Sequence, residues 1–227
     1  MLAGLSFPPA ILSGEKMIYE LRTYTLKPGA APIAAKNAGT IARSIRGDDY
    51  GKLEGYWLTE VGPLNQVMHL WSYADLNERA EKRKALSSNS SWNNDYLPKI
   101  REYLVRQDIR LLNPYRGPTA PIGENNIYEL RNYRLRPGSM KIWTDTFLKA
   151  MEHREKYSKL VGLWSTEAGQ PNEVCHIWSY PSFEERMKAR NAAVEDPGWQ
   201  EFLKFSGQHI EEMWSTLMLP AAHSPLK

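Results

Sequence analysis

The chain has 227 residues, 42% of them hydrophobic and 24% charged, an ordinary balance for a chain that buries one large core or two small ones. Its net charge of +3 comes from 29 basic against 26 acidic residues, with no basic stripe of the kind that tracks nucleic acid. No apolar run approaches the roughly 20 residues of a membrane span, and the lone Cys175 excludes an internal disulfide and a thiolate metal cluster.

Residues 1–16 are mildly apolar, without the basic start of a signal peptide or the arginines of a transit peptide, and read as a peripheral arm. Ile18–Leu26 is rich in β-branched and aromatic residues and predicts a strand, closed by Lys27-Pro28-Gly29. A helix follows, with Ile33, Ile41 and Ile45 and the alanines between them as its thin apolar stripe. Two strands then turn at Gly62-Pro63-Leu64-Asn65 as a hairpin. Asp75 with Glu78 forms a capping box for a second helix. A short helical stretch after Trp92 and a strand near Val105–Leu112 complete the unit.

The whole order then recurs. IYELRTYTLKPGA from Ile18 returns as IYELRNYRLRPGS from Ile127, and GYWLTEVGPLNQVMHLWSY from Gly55 returns as GLWSTEAGQPNEVCHIWSY from Gly162. More than half the positions agree in both blocks, and Trp92 matches Trp199. In the second copy Met140, Trp143, Phe147, Ala150 and Met151 share a helical face, Ser182 with Glu185 forms the capping box, and Met213–Leu219 is the last strand. The repeat divides the chain into modules 17–112 and 126–220, with a Pro- and Gly-rich linker 113–125 and a tail 221–227.

The order βαββαβ is that of a ferredoxin-like module, whose antiparallel sheet has helices on one face and needs cover on the other. The expected fold class is therefore α+β. Two tandem ferredoxin-like modules pack sheet to sheet as an intramolecular dimeric α+β barrel, with the helices outside.

Strand alternation separates Met68, Leu70 and Ser72 from His69, Trp71 and Tyr73, and Cys175, Ile177 and Ser179 from His176, Trp178 and Tyr180. The small apolar sets are expected beneath the helices, with Tyr19 and Leu21. That puts Glu20, Arg22, Tyr24 and Glu129, Arg131, Tyr133 on the opposite, sheet-to-sheet face with the histidines. Because the first and third strands are neighbours, Glu20 is expected to meet His69, and Glu129 to meet His176. A carboxylate beside an imidazole raises its pKa and fits it for acid–base work. On that reading His69 and His176 are bases oriented by Glu20 and Glu129. Arg22, Tyr24, Trp71, Tyr73, Arg131, Tyr133, Trp178 and Tyr180 bind the ligand in an apolar pocket between sheet and helices. The competing reading makes the same residues a self-satisfied polar core. Trp57, Trp71, Trp164 and Trp178 also read as packing residues, Cys175 as small core, and His153, His209 and His223 as surface.

No phosphate loop, nucleophile elbow or HExxH is present, and no two histidines stand three or four apart, so no metal and no cofactor is expected. Function stays open between a binder or transformer of a small apolar or aromatic molecule and a non-catalytic interaction module. Further homo-oligomerisation is left open, and the lone cysteine suits a cytoplasmic setting.

The YELR…KPG segment, the H-x-W-x-Y strand and the later Trp92 resemble the NIPSNAP family, and the second copy matches nearly as well. The resemblance implies a dimeric α+β barrel and supplies no established catalytic residues. Eukaryotic members are associated with mitochondria, with vesicle traffic and with mitochondrial clearance. A chain without a presequence is more similar to a bacterial relative. The wider barrel group holds cofactor-independent monooxygenases, isomerases and haem proteins, so an enzymatic reading is of the first two types by analogy of fold. Haem is a remote third reading, since its ligand in that group usually sits on a helix.

Overall fold

In the computed structural model residues 17–227 are described, and the expected arm 1–16 lies outside them. The first half runs β1 (Ile18–Leu26), α1 (Ala31–Asn37), a π-helical turn (Ala38–Ala42) and α2 (Arg43–Arg46), then β2 (Lys52–Val61), β3 (Gln66–Tyr73) and α3 (Leu76–Ser87). A second π-helical turn (Trp92–Tyr96) leads to α4 (Leu97–Arg101) and β4 (Leu104–Arg116). The second half repeats this as β5 (Ile127–Leu135), α5 (Met140–Arg154), β6 (Lys159–Ala168), β7 (Glu173–Tyr180), α6 (Phe183–Glu195), α7 (Pro197–Gly207) and β8 (Ile210–Pro220).

The strands close into a barrel in the order β1-β3-β2-β8-β5-β7-β6-β4. Each half gives four antiparallel strands, and the halves are sewn together where β2 meets β8 and β4 meets β6. The expected dimeric α+β barrel is therefore present within one chain. Local chemistry set its corners as expected. Gly62 and Asn65, and Gly169 and Asn172, carry the positive φ of the two hairpins. Asp75 and Ser182 accept from the amides of Glu78 and Glu185 at 2.8 and 3.1 Å.

Three expectations give way. The linker does not begin at Asn113, because β4 runs on to Arg116 and pairs Asn113 and Pro114 with Ser165 and Trp164. The segment 221–227 is not a free tail. Ala221 donates to the Tyr56 carbonyl, Ser224 Oγ accepts from the Tyr56 amide at 2.9 Å, and Leu226 enters the barrel cluster. The stripe of the first helix is carried by its alanines: Ala34, Ala38 and Ala42 are buried and Ile41 and Ile45 pack against them as expected, while Ile33 is 45% exposed. Pro28 to Arg46 is one residue longer than Pro137 to Arg154, and the π-helical turn absorbs the extra residue.

The sheet faces are the reverse of those expected. Tyr19, Leu21, Met68 and Leu70 meet Tyr128, Leu130, Cys175 and Ile177 in one cluster that fills the barrel. Val67, Trp71 and Tyr73 lie under the first half's helices with Ala34 and Ala38, and Val174, Trp178 and Tyr180 lie with Trp143 and Phe147. The reason is a supply of partners. A closed barrel offers a charged group only what its own strands point inward, whereas the outer face is roofed by helices that bring arginines down to it. Gly55 and Gly162 complete the interior, since a Cβ on either would fall 2.1 or 2.2 Å from the ring of Trp57 or Trp164.

Candidate functional site

β3 and β7 are buried along their whole length because barrel and helices cover both faces. On the helix side, register sets the neighbours. β1 and β3 pair Glu20 with Trp71 and Arg22 with His69; β5 and β7 pair Glu129 with Trp178 and Arg131 with His176. The expected Glu20–His69 and Glu129–His176 contacts are therefore absent, because the antiparallel register displaces each glutamate by two residues from its histidine.

Each imidazole is held by an indole instead. Trp71 Nε1 donates to His69 Nδ1 at 2.5 Å, and Trp178 Nε1 donates to His176 Nδ1 at 2.8 Å. A ring nitrogen that accepts a hydrogen bond carries no proton, so the neutral tautomer has its proton on Nε2. Burial, then Arg22 and Arg46, hold His69 well below the usual imidazole range; burial, then Arg131, do the same to His176. The expected rise in pKa is reversed. These rings are hydrogen-bond donors, and the oriented base of the sequence reading is not assembled. Tyr24 and Tyr133 set their rings at steep angles to the imidazoles, each with centroids 4.8 Å apart.

The glutamates are committed to arginines. Glu20 accepts from Arg22 at 2.9 Å and pairs with Arg79 of α3. Glu129 takes Arg186 of α6 on both oxygens at 2.9 Å and accepts from Ser215 at 2.7 Å. Burial pushes the Glu129 carboxyl up, but the Arg186 bonds, the Arg131 charge and the Ser215 bond outweigh it and hold it at about 2. Tyr180 bridges Glu129 and Arg154, and Tyr73 is the first half's counterpart.

Sequence reasoning missed the arginines that roof the site. Arg79 and Arg186, Arg83 and Arg190, and Arg46 and Arg154 occupy matching positions in the two copies. Their signal was present: Glu-Arg-x-x-x-Arg recurs at Glu78–Arg83 and Glu185–Arg190, one helical face each. Arg46 lies 3.5 Å above the Trp71 ring and Arg154 4.5 Å above Trp178. Burial lowers Arg46 to about 10, which leaves it charged at neutral pH.

The two pockets differ in what fills them. In the first half Tyr56 stacks on His69, and His223, from the segment expected to be surface tail, tilts against Tyr56 with centroids 4.5 Å apart. About 60 Å³ remains, room for a water or two. In the second half Leu163 replaces Tyr56, and among the described residues no counterpart of His223 reaches in. A cavity of about 290 Å³ opens there among Tyr133, Phe147, His176, Trp178, Trp199 and Phe202. His153 and His209, also read as surface, are half-buried against Asp196 and Ser139. Cys175 packs in the barrel, where burial pushes its thiol up. Among the described residues no three metal-ligating side chains gather, and no helix is long and apolar enough to cross a membrane.

The NIPSNAP family model matches the chain twice, over residues 19–116 and 128–225. Human NipSnap homolog 3B is 32% identical over 215 residues, which cover 92% of this chain and 85% of that protein. A NipSnap homolog of Dictyostelium discoideum is 28% identical over 211 residues, covering 89% and 87%. A monooxygenase-like protein of Fusobacterium nucleatum superposes with a TM-score of 0.69 over 91% of this chain and 93% of its own, at 10% identity, which is a likeness of fold. With both of its copies matched and relatives aligned along most of its length, the chain belongs to the NIPSNAP family.

Proposed function

We propose that the protein binds one small, flat apolar or aromatic molecule per chain, in the cavity between β5, β7 and the helices α5 to α7. The observation that carries this reading is the inequality of two duplicated pockets. The same wall residues surround about 290 Å³ in one half and about 60 Å³ in the other. If the residues served packing alone, nothing would favour leaving one copy hollow, since an unfilled apolar cavity costs stability. The open volume is about twice the roughly 150 Å³ that accepts one benzene ring, so two fused rings fit. The rings of Tyr133, Phe147, Trp178, Trp199 and Phe202 line it, the aromatic lining common to small-molecule sites. Arg131, Tyr133 and Trp178 are the ligand-facing residues of the expected set in the second half, while Tyr180 bridges Glu129 and Arg154 and does not line the cavity. In the first half Arg22, Tyr24 and Trp71 hold the same places around a filled space.

The test is a thermal-shift panel of aromatic, quinone and polyketide-like compounds on the full chain. A ligand at about 100 times its Kd adds roughly 2.7 kcal/mol, a rise of roughly 5–10 °C for a chain of this size. The control is Leu163→Tyr, which installs the ring that closes the first pocket. A shift in the wild type that Leu163→Tyr abolishes supports the reading. No shift with any compound overturns it and leaves the non-catalytic interaction module as the standing alternative.

A further inference from the structure

The cavity is cationic as well as apolar. Arg131, Arg154 and Arg190 line it, and no Asp or Glu does. The nearest carboxylate, Glu129, is fully buried behind the wall and must serve three guanidinium groups. Its Oε1 lies 2.9 Å from Arg186, 3.4 Å from Arg131 and 3.7 Å from Arg190. Only Arg186 binds it with both prongs. One negative charge therefore faces three positive ones, and the two arginines left at longer range are those that line the cavity. Arg154 is occupied elsewhere, by Ser158, Tyr180 and the face of Trp178.

Two donors on this wall have no acceptor. Arg131 Nε and His176 Nε2 are buried without a partner among the described residues. His176 is 2% exposed, and its Trp178 bond at Nδ1 fixes the proton on Nε2. Arg131 and His176 are register partners on adjacent strands, so their Cβ atoms lie about 5 Å apart on one face and both side chains can reach one group. A buried donor without an acceptor costs about 1–3 kcal/mol. Two such donors side by side, beside surplus positive charge, form a wall suited to an anion. In the filled half Arg22 Nε also lacks a partner, but Arg22 Nη1 closes on Glu20 at 2.9 Å where Arg131 stands 3.4 Å from Glu129, and the orphaned Nε2–H belongs to His176 and not to its counterpart His69.

We infer that the occupant of this cavity is an organic acid, its carboxylate held by Arg131, Arg190 and the Nε2–H of His176 and its ring system stacked among Phe147, Trp178 and Trp199. This rests on the pocket reading proposed above and adds the charge and orientation of the ligand. A planar carboxylate offers two oxygens to the arginines and the imidazole, and charge-assisted bonds of this kind are about twice as strong as neutral ones. His176 acts here as a positioning donor, and no bond is made or broken.

The experiment is isothermal titration of the full chain with three probes of one shape: 2-naphthoate, 2-naphthamide and 2-methylnaphthalene. The expected result is that naphthoate binds at least about tenfold tighter than the amide, a difference of about 1.4 kcal/mol. Arg131→Gln and, separately, the more exposed Arg190→Gln should each remove most of that advantage while the amide's affinity stays within about threefold. Arg190 is the safeguard against misfolding, since its side chain is 37% exposed. Equal affinity for acid and amide overturns the anion inference and leaves the pocket reading standing. An acid preference that survives both arginine variants also overturns it. No binding of any of the three up to about 5 mM overturns both.

Discussion

Replacing Glu129 by Gln tests the electrostatics on which the site stands. The carboxylate is fully buried and is the common partner of Arg131, Arg186 and Arg190, with Ser215 and Tyr180 completing its shell. Gln keeps the shape and one acceptor but removes the charge and turns an amide NH2 toward the guanidinium groups. Two routes give the cost. A carboxyl shifted from 4.5 to about 2 is stabilised in its charged form by about 3 kcal/mol. Removing one partner of a buried ion pair typically costs about 3–5 kcal/mol. The agreement sets the expectation at about 3 kcal/mol, or a midpoint lowered by roughly 6–12 °C for a chain of this length. Because the folded pKa lies below the unfolded one, this stability is present above pH 4.5 and is lost as pH falls through about 2. Urea denaturation at pH 7 measures it directly. A loss below about 1 kcal/mol would show that the three arginines do not depend on this carboxylate, and the argument for surplus positive charge would fall with it.

Two more outcomes follow from the same geometry. Gly162→Ala should cost about 3 kcal/mol, because its Cβ would fall 2.2 Å from the buried Trp164 ring and the barrel has no room for that ring to retreat; a near-native urea midpoint would refute it. His69 and His176 are held neutral in the fold, well below 6.5, yet protonate near 6.5 when unfolded, so stability is full above about pH 7 and declines as pH falls below 6.5. The limiting slope is about 2.7 kcal/mol per pH unit for two protons, and the double variant His69→Gln, His176→Gln should flatten the curve between pH 7 and 5. An unchanged slope would mean that the imidazoles titrate freely in the native protein.

The sequence by itself determined the architecture. Duplicated strand, turn and cap signals are local: Lys27-Pro28-Gly29 ends a strand whatever surrounds it, Asp75 caps a helix within three residues, and a sheet with one uncovered face demands its twin. The same locality grouped Glu20, Arg22, His69 and Trp71 on one face by alternation alone. Which face, and which neighbours, were decided elsewhere. Alternation has two solutions of equal local merit, and the choice between barrel interior and helix roof depends on which surroundings can satisfy charge. That was set by Arg79, Arg83, Arg186 and Arg190, which descend from helices distant in sequence. Strand register, which sets Arg22 and Arg131 opposite His69 and His176 in place of the glutamates, is fixed only when whole strands pair, whereas each imidazole's indole partner stands two residues along its own strand. The difference between a filled and an open pocket came from a single exchange, Tyr56 for Leu163, together with a C-terminal segment that crosses back to plug the first half. Such contacts join residues more than a hundred positions apart, and only the closing of the barrel brings them within reach.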